Sequence, residues 1–192
     1  MMYGEYEISG KQFHLAAMIA SIEFDQWRLK SDACKQSRLV GVLGEMFAGM
    51  YLEGQAGGRS CIPQGLLMRT GLFSANTIDR GDIIMVGKRK VKSGQDFREH
   101  MVDAVWTYEV KATSGIRRGL VEARCAREYL TRRVAGVILV GVSFGQHSAH
   151  GVIEDIADPY VIVNDWPLVE VEGKEYYESP LVRRKMDWEN SN

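Results

Sequence analysis

Two short runs decide the fold: Trp106-Thr107-Tyr108-Glu109-Val110-Lys111-Ala112 and, upstream of it, Arg80-Gly81-Asp82-Ile83-Ile84-Met85-Val86. In a strand successive side chains point to opposite faces, so Glu109 and Lys111 share one face while Trp106, Tyr108, Val110 and Ala112 take the other. Asp82 opens a second apolar run, Ile83 to Val86, which is short and isoleucine-rich as a buried strand should be. If these runs are neighbours in one sheet, two carboxylates and an ammonium meet at one edge. Hard divalent cations take such oxygen ligands, and Mg²⁺ uses one or two protein carboxylates while keeping room for waters and a substrate phosphate. The constellation therefore reads as a metal-assisted phosphodiester site.

Working outward, residues 134–144 are almost wholly apolar, with Val137-Ile138-Leu139-Val140 at the centre, as in a strand covered on both faces. Between the two strands a helical pattern is expected from Ser114, a plausible N-cap, to Arg133, with Ile116, Leu120, Ala123, Ala126 and Leu130 facing inward. Strand, helix, buried strand suggests a right-handed crossover that sets the last strand parallel to its partner. Arg117 and Arg118, in the expected first turn, oppose the helix dipole, a small cost that makes sense beside a phosphate. Between the two motif strands lies a basic segment, residues 87–95, where Lys88, Arg89, Lys90 and Lys92 are expected on a protruding hairpin that neutralises phosphates. The other reading of such a charge run is a solvated loop tip.

Farther upstream the pattern predicts strands over 66–73 and 77–86, joined by a turn at Ser74-Ala75-Asn76 and preceded by a glycine-rich loop over 54–61. Asp79 rivals Asp82, but Asp82 immediately precedes the apolar run. Ser9-Gly10-Lys11-Gln12 fits a capping box, and Leu15, Met18, Ile19, Ile22 and Leu29 predict the buried stripe of a first helix. A second helix is expected from about Asp32 to Leu52, with Leu39, Val42, Leu43, Met46 and Met50 on its apolar side. Glu45 sits off that side among the small residues Gly41, Ala48 and Gly49, which admit a close neighbour. Taken alone, Glu45 is a solvated helix residue.

An acid on one strand followed by Glu-x-Lys on the next resembles the signature of the PD-(D/E)xK nuclease superfamily, with Asp82 as the first acid and Glu109-Val110-Lys111 as the second motif. The likeness covers few residues, and Gly81 stands where that signature has proline. It implies an α/β fold with a restriction endonuclease-like core, a mixed central sheet flanked by helices in αβββαβ order, which the expected elements follow. It implies a Mg²⁺-dependent endonuclease, with Mn²⁺ able to substitute, acting on DNA. Asp82, Glu109 and the Val110 carbonyl would hold the metal, and Lys111 would orient water or stabilise the transition state. Several branches place an acid on the helix before the sheet, which makes Glu45 a candidate for a further ligand. Ser114, Arg117, Arg118 and the basic segment would contact the nucleic acid. A restriction-type enzyme is favoured slightly over a Holliday-junction resolvase or a phage or repair nuclease, and the first two imply a homodimer. The rival from another class is a non-catalytic nucleic-acid-binding or assembly module.

The 192 residues suit one domain: a packing helix in 1–31, the core in 32–145 and an acidic extension in 146–192. Hydrophobic content of 45% and charged content of 26% are those of a globular protein, and no apolar run reaches the ~20 residues of a membrane span. The amino terminus lacks a basic region followed by an apolar core, so a cytoplasmic location is expected. Cys34, Cys61 and Cys125 are odd in number and widely spaced, which argues against a disulfide framework or zinc ribbon and for buried thiols. The net charge of −1 conceals asymmetry: residues 1–150 carry 20 Lys+Arg against 15 Asp+Glu, and residues 151–192 carry 4 against 10. A basic face is thus compatible with a neutral total. His147 and His150 lie in a polar stretch without the further ligands a zinc site needs. Residues 160–163 are expected as a strand and 168–177 as a hairpin turning near Gly173. The extension could make dimer contacts, cover a sheet edge or bind a partner. No phosphate-binding glycine loop or serine-hydrolase elbow is present.

Overall fold

The computed structural model describes residues 4–26, 32–55, 60–69, 81–92, 99–115 and 119–190. The elements are β1 (Gly4–Ser9), α1 (Gly10–Gln26), α2 (Asp32–Gln55), β2 (Ser60–Ile62), α3 (Gln64–Arg69), β3 (Ile83–Lys92) and β4 (Glu99–Thr113). They continue with β5 (Leu120–Glu122), α4 (Ala123–Arg132), β6 (Gly136–Phe144), β7 (Ser148–Ala157), α5 (Pro159–Asp165), β8 (Leu168–Val171), β9 (Lys174–Glu178) and α6 (Pro180–Asn190). Six strands form one mixed sheet in the order β1-β7-β6-β4-β3-β2, and β5-β9-β8 form a second. The fold is α/β. β4 and β6 run parallel with Glu109 opposite Val137 and Lys111 opposite Leu139, as the buried run after a helix predicts. The other pairs in both sheets are antiparallel.

The central strands divide their side chains between two cores, as two-residue periodicity requires. From β6, Ile138, Val140 and Val142 join the core beneath α1 and α2, while Val137 and Leu139 join a second core with α4, α5, α6 and the small sheet. From β4, Trp106, Tyr108, Val110 and Ala112 go to the first core, which leaves Glu109 and Lys111 on the side of α4. Close approach of α2 to the sheet depends on Gly44, where an added Cβ would sit 3.4 Å from Ala112 Cα, rather than on Gly49, around which there is open space.

Several expectations are corrected. Residues 66–69 are helical in α3, not the start of a strand: a short apolar run does not distinguish the two, and the Leu67 N–H closes a helical turn on the Pro63 carbonyl. The first strand of the meander is instead β2, which pairs with β3. The predicted turn at 74–76 and Asp79 lie outside the described residues, as does Leu29. On α1 the buried positions are Ala16, Ile19 and Ala20, whereas Leu15 and Met18 are 50% and 62% exposed. The helix is therefore rotated from the expected stripe, of which Ile19 stays buried, toward Ala16 and Ala20. The chain reaches α1 directly from β1, a strand that the sequence pattern does not signal, turning at Gly10 with φ of 54°.

The helix expected from Ser114 begins only at Ala123. Gly115 and Gly119 have φ of 86° and 76°, outside the helical region, and β5 forms against β9 before α4 starts. Its buried residues are Ala123, Ala126 and Tyr129, and Leu130 is turned out. Residues 160–163 lie in α5, not a strand. Asp158 accepts the Tyr160 N–H at 2.7 Å as N-cap, and Pro159 opens the helix, a start signal readable in the sequence. The hairpin at Gly173 is present as β8 and β9.

Residues 146–190 are part of the body rather than an appendage. β7 lies between β6 and β1 in the main sheet, and the Asp155 carboxylate accepts a hydrogen bond from the Ser179 hydroxyl, joining β7 to the start of α6. Strand β7 escapes a sequence reading because two of its inward positions, Ala149 and Gly151, are small. Gly151 lies against the ring of Phe47, where an added Cβ would sit 2.7 Å from Cδ1. A register shift opposite Leu139 and Val140 then breaks the alternation.

Phe47 is fully buried between α2 and β7. Phe47→Ala should lower the unfolding free energy by ~3–5 kcal/mol, as loss of a buried aromatic generally does. Urea denaturation is expected to show a lower midpoint with an unchanged slope.

Candidate active site at the parting of β3 and β4

Pairing between β3 and β4 starts at Ile83 opposite Tyr108 and runs outward to Lys92 opposite Glu99. Asp82 stands one residue before this ladder, where the strands part. Gly81 has φ of 137° and would place an added Cβ 3.0 Å from the Tyr108 carbonyl oxygen, so a residue without a side chain is needed there. The turn brings the Asp82 carboxylate to the Val110 N–H, which donates to Oδ2 at 2.7 Å. A strand residue directs its N–H and C=O to the same side, so the Val110 carbonyl faces this parting as well.

Glu45 reaches the same place from α2. It is 2% exposed, which corrects its reading as a solvated helix residue. Gly65 of α3 lies against both acids: a Cβ there would sit 2.8 Å from Glu45 Cδ and 3.2 Å from Asp82 Oδ1. The backbone joins the same corner, with the Gly65 N–H donating to the Asp82 carbonyl at 2.8 Å. Gly65 therefore forms a cradle between two carboxylates. No feature of the local sequence marks it.

Glu109, 6% exposed, stands on the α4 side, where its Oε1 is 3.2 Å from the Arg132 guanidinium. The Lys111 ammonium lies over the ring of Tyr129, 5.3 Å from its centre, a cation–π arrangement. Burial, then the charge of Glu109 and more weakly those of Cys125 and Asp82, push the Tyr129 phenol well above its ordinary value. Tyr129 and Arg132 are the residues that sequence reasoning missed. Their signal is present, since both lie on the helix that follows the Glu-x-Lys strand, but the apolar pattern puts Leu130 on its inward face.

The structure thus brings Glu45, Asp82, Glu109, Val110 and Lys111 to one region. Among the described residues no three His, Cys, Asp or Glu side chains form a group already placed to hold a metal ion. The basic residues stand elsewhere. Lys88, Arg89 and Lys90 are exposed on β3 itself, in ladder with β4, rather than on a separate loop, and Lys92 ends that strand. Ser114 is exposed just past β4 and does not cap a helix; Arg117 and Arg118 lie outside the described residues. Cys61 and Cys125 are half-buried free thiols, and burial followed by Glu53 pushes the Cys61 thiol up. Among the described residues no helix is long and apolar enough to cross a membrane. No protein-family model, curated protein or solved structure matches the chain.

Two measurements check this geometry. Because the folded state holds Tyr129 protonated while the unfolded phenol ionises near its ordinary value of 10.0, the unfolded state loses protons first as pH rises. Stability should fall above that pH and be unaffected below it. Tyr129→Phe should remove this part of the alkaline decline in denaturation midpoints measured from pH 8 to 11. Gly81→Ala, which forces a side chain into φ of 137°, should cost ~1–3 kcal/mol in chemical denaturation.

Proposed function

We propose that this chain is a Mg²⁺-dependent DNA endonuclease, with Mn²⁺ able to replace Mg²⁺, built on a restriction endonuclease-like core. The observation that carries the reading is the Asp82 carboxylate bonded to the Val110 N–H, with Glu45 at the same Gly65 cradle and Glu109 and Lys111 on the adjoining strand. The order α2, β2, β3, β4, α4, β6, with α3 and β5 inserted, supports it, because αβββαβ is the order the resemblance implies.

The donor set fits a hard divalent ion. Carboxylate oxygens of Asp82 and Glu109 and the Val110 carbonyl would hold it, and Glu45 would add a carboxylate from the α2 side. Such an ion, when bound, polarises the phosphate and makes water a stronger nucleophile. Asp82 is held in place by the Val110 N–H, and Arg132 orients Glu109. Lys111 shares its strand face with Glu109, where its charge would stabilise the negative charge that develops on the phosphate. The Tyr129 ring fixes the direction of that ammonium. Lys88, Arg89 and Lys90 offer sequence-independent phosphate contacts along the β3–β4 ribbon. Cleavage of both strands of a duplex or junction calls for two such sites, hence a homodimer.

Plasmid, linear duplex and four-way-junction DNA incubated with Mg²⁺, with and without chelator, test the reading. Chelator-sensitive cleavage is expected, with plasmid cut at fixed sites for a restriction-type enzyme and the junction preferred for a resolvase. Lys111→Ala should lower the rate by at least ~10²–10³-fold, the scale of losing one transition-state donor, with unchanged circular dichroism. Robust cleavage by that variant would sink the assignment. Binding without cleavage by the wild type would favour a non-catalytic module.

A further inference from the structure

Arg132 has two carboxylates within reach. Its Nη1 is 3.2 Å from Glu109 Oε1, a buried oxygen, and 3.7 Å from Glu128 Oε1, which lies one helical turn back and is largely exposed. The arginine ends α4, where the helix dipole favours a cation and the backbone leaves the helix through Arg133 in the left-handed region. It is only partly exposed, so its field at Glu109 is weakly screened by solvent. A carboxylate taken from water into a protein interior needs a counter-charge, and Arg132 supplies one to Glu109.

Resting on the reading above, we infer that Arg132 is a displaceable internal cation that competes with a divalent metal for Glu109, with Glu128 as its alternative seat. Two cations cannot share one buried carboxylate without mutual repulsion, and a guanidinium on a long side chain is the one that can move. Withdrawal to Glu128, already 3.7 Å away, breaks the pair with Glu109 and keeps the one on the same helix, with no backbone change. Arg132 therefore weakens metal binding and protects Glu109 in the metal-free state. It is a positioning residue, acting through Glu109.

The sign of the effect separates this from a merely structural role. An arginine needed only for order would, when removed, loosen the site and weaken metal binding. A competing cation, when removed, strengthens it. Mn²⁺ is titrated into the full-length chain by calorimetry, without DNA, for wild type, Glu109→Gln, Arg132→Met and Glu128→Gln. Glu109→Gln should lose most of the binding. Arg132→Met should bind about tenfold more tightly, equivalent to about 1.4 kcal/mol. Glu128→Gln, which removes the alternative seat, should bind about threefold more weakly. If Arg132→Met proves insoluble, Arg132→Gln, which is shorter but keeps a donor without the charge, is measured in its place with the same expectation. Glu109-dependent binding in the wild type with unchanged or weaker binding in the arginine variants overturns the competition and leaves the metal site standing. Absence of Glu109-dependent binding in every protein overturns both.

Discussion

The hydrogen bond from the Val110 N–H to the Asp82 carboxylate is the interaction on which the rest of the site depends. It stands where the antiparallel ladder of β3 and β4 ends, so a side chain takes the donor that one more strand residue would have used. Each buried backbone donor must be satisfied, and a carboxylate does so with a charge-assisted bond stronger than the amide bond it replaces. The strands part without leaving the Val110 N–H unpaired. Gly81 makes the substitution possible, because its backbone conformation and its contact with the Tyr108 carbonyl exclude a side chain. The proline of the resembled signature and the glycine found here are different backbone solutions for presenting an acid at a strand's start.

Two glycines bring the remaining acid to that point. Gly44 lets α2 descend onto Ala112, and Glu45, the next residue, is carried to a depth that a helix held off by a Cβ would not reach. Gly65 leaves room between Glu45 and Asp82. The division of β4 between two cores does the rest: Val110 and Ala112 anchor the strand beneath α2, which fixes Glu109 and Lys111 on the opposite face against Tyr129 and Arg132. Sheet periodicity, helix approach and one turn place Glu45, Asp82, Glu109 and Lys111 from α2, the turn before β3, and β4.

What was legible in the sequence followed from strong local signals. The alternation in Tyr108–Ala112, the buried run Val137–Val140 and the hairpin at Gly173 read as the structure has them, because each face or turn has one chemical answer. The errors came where tertiary contact overrides pattern. Leu66–Arg69 is as apolar in a strand as in a helix. Of the expected stripe Leu15–Met18–Ile19–Ile22 only Ile19 is buried, and its companions are the small residues Ala16 and Ala20, which a hydrophobic pattern underweights. Ser114 is a good cap in isolation, yet two glycines with positive φ precede an N-cap that falls eight residues later, at Glu122. That delay changes which residues face Glu109 and Lys111, so Tyr129 and Arg132 emerged only from the fold.

The charges gathered at the parting also decide what it can accept. Glu45, Asp82 and Glu109 are formally three negative charges, and Lys111 and Arg132 are two positive ones, so the region carries one net negative charge within a largely buried corner. An isolated phosphodiester, itself singly negative, would be repelled. A bound divalent ion would remove that repulsion: with Arg132 withdrawn to Glu128 the corner becomes formally neutral, and the ion and Lys111 present the positive charge nearest a phosphodiester group. Each protein cation alone is insufficient: Arg132 is committed to carboxylates and Lys111 is held over an aromatic ring. In the proposed reading, metal dependence is thus a consequence of how many acids the fold converges there, and substrate binding at the parting follows metal binding rather than preceding it.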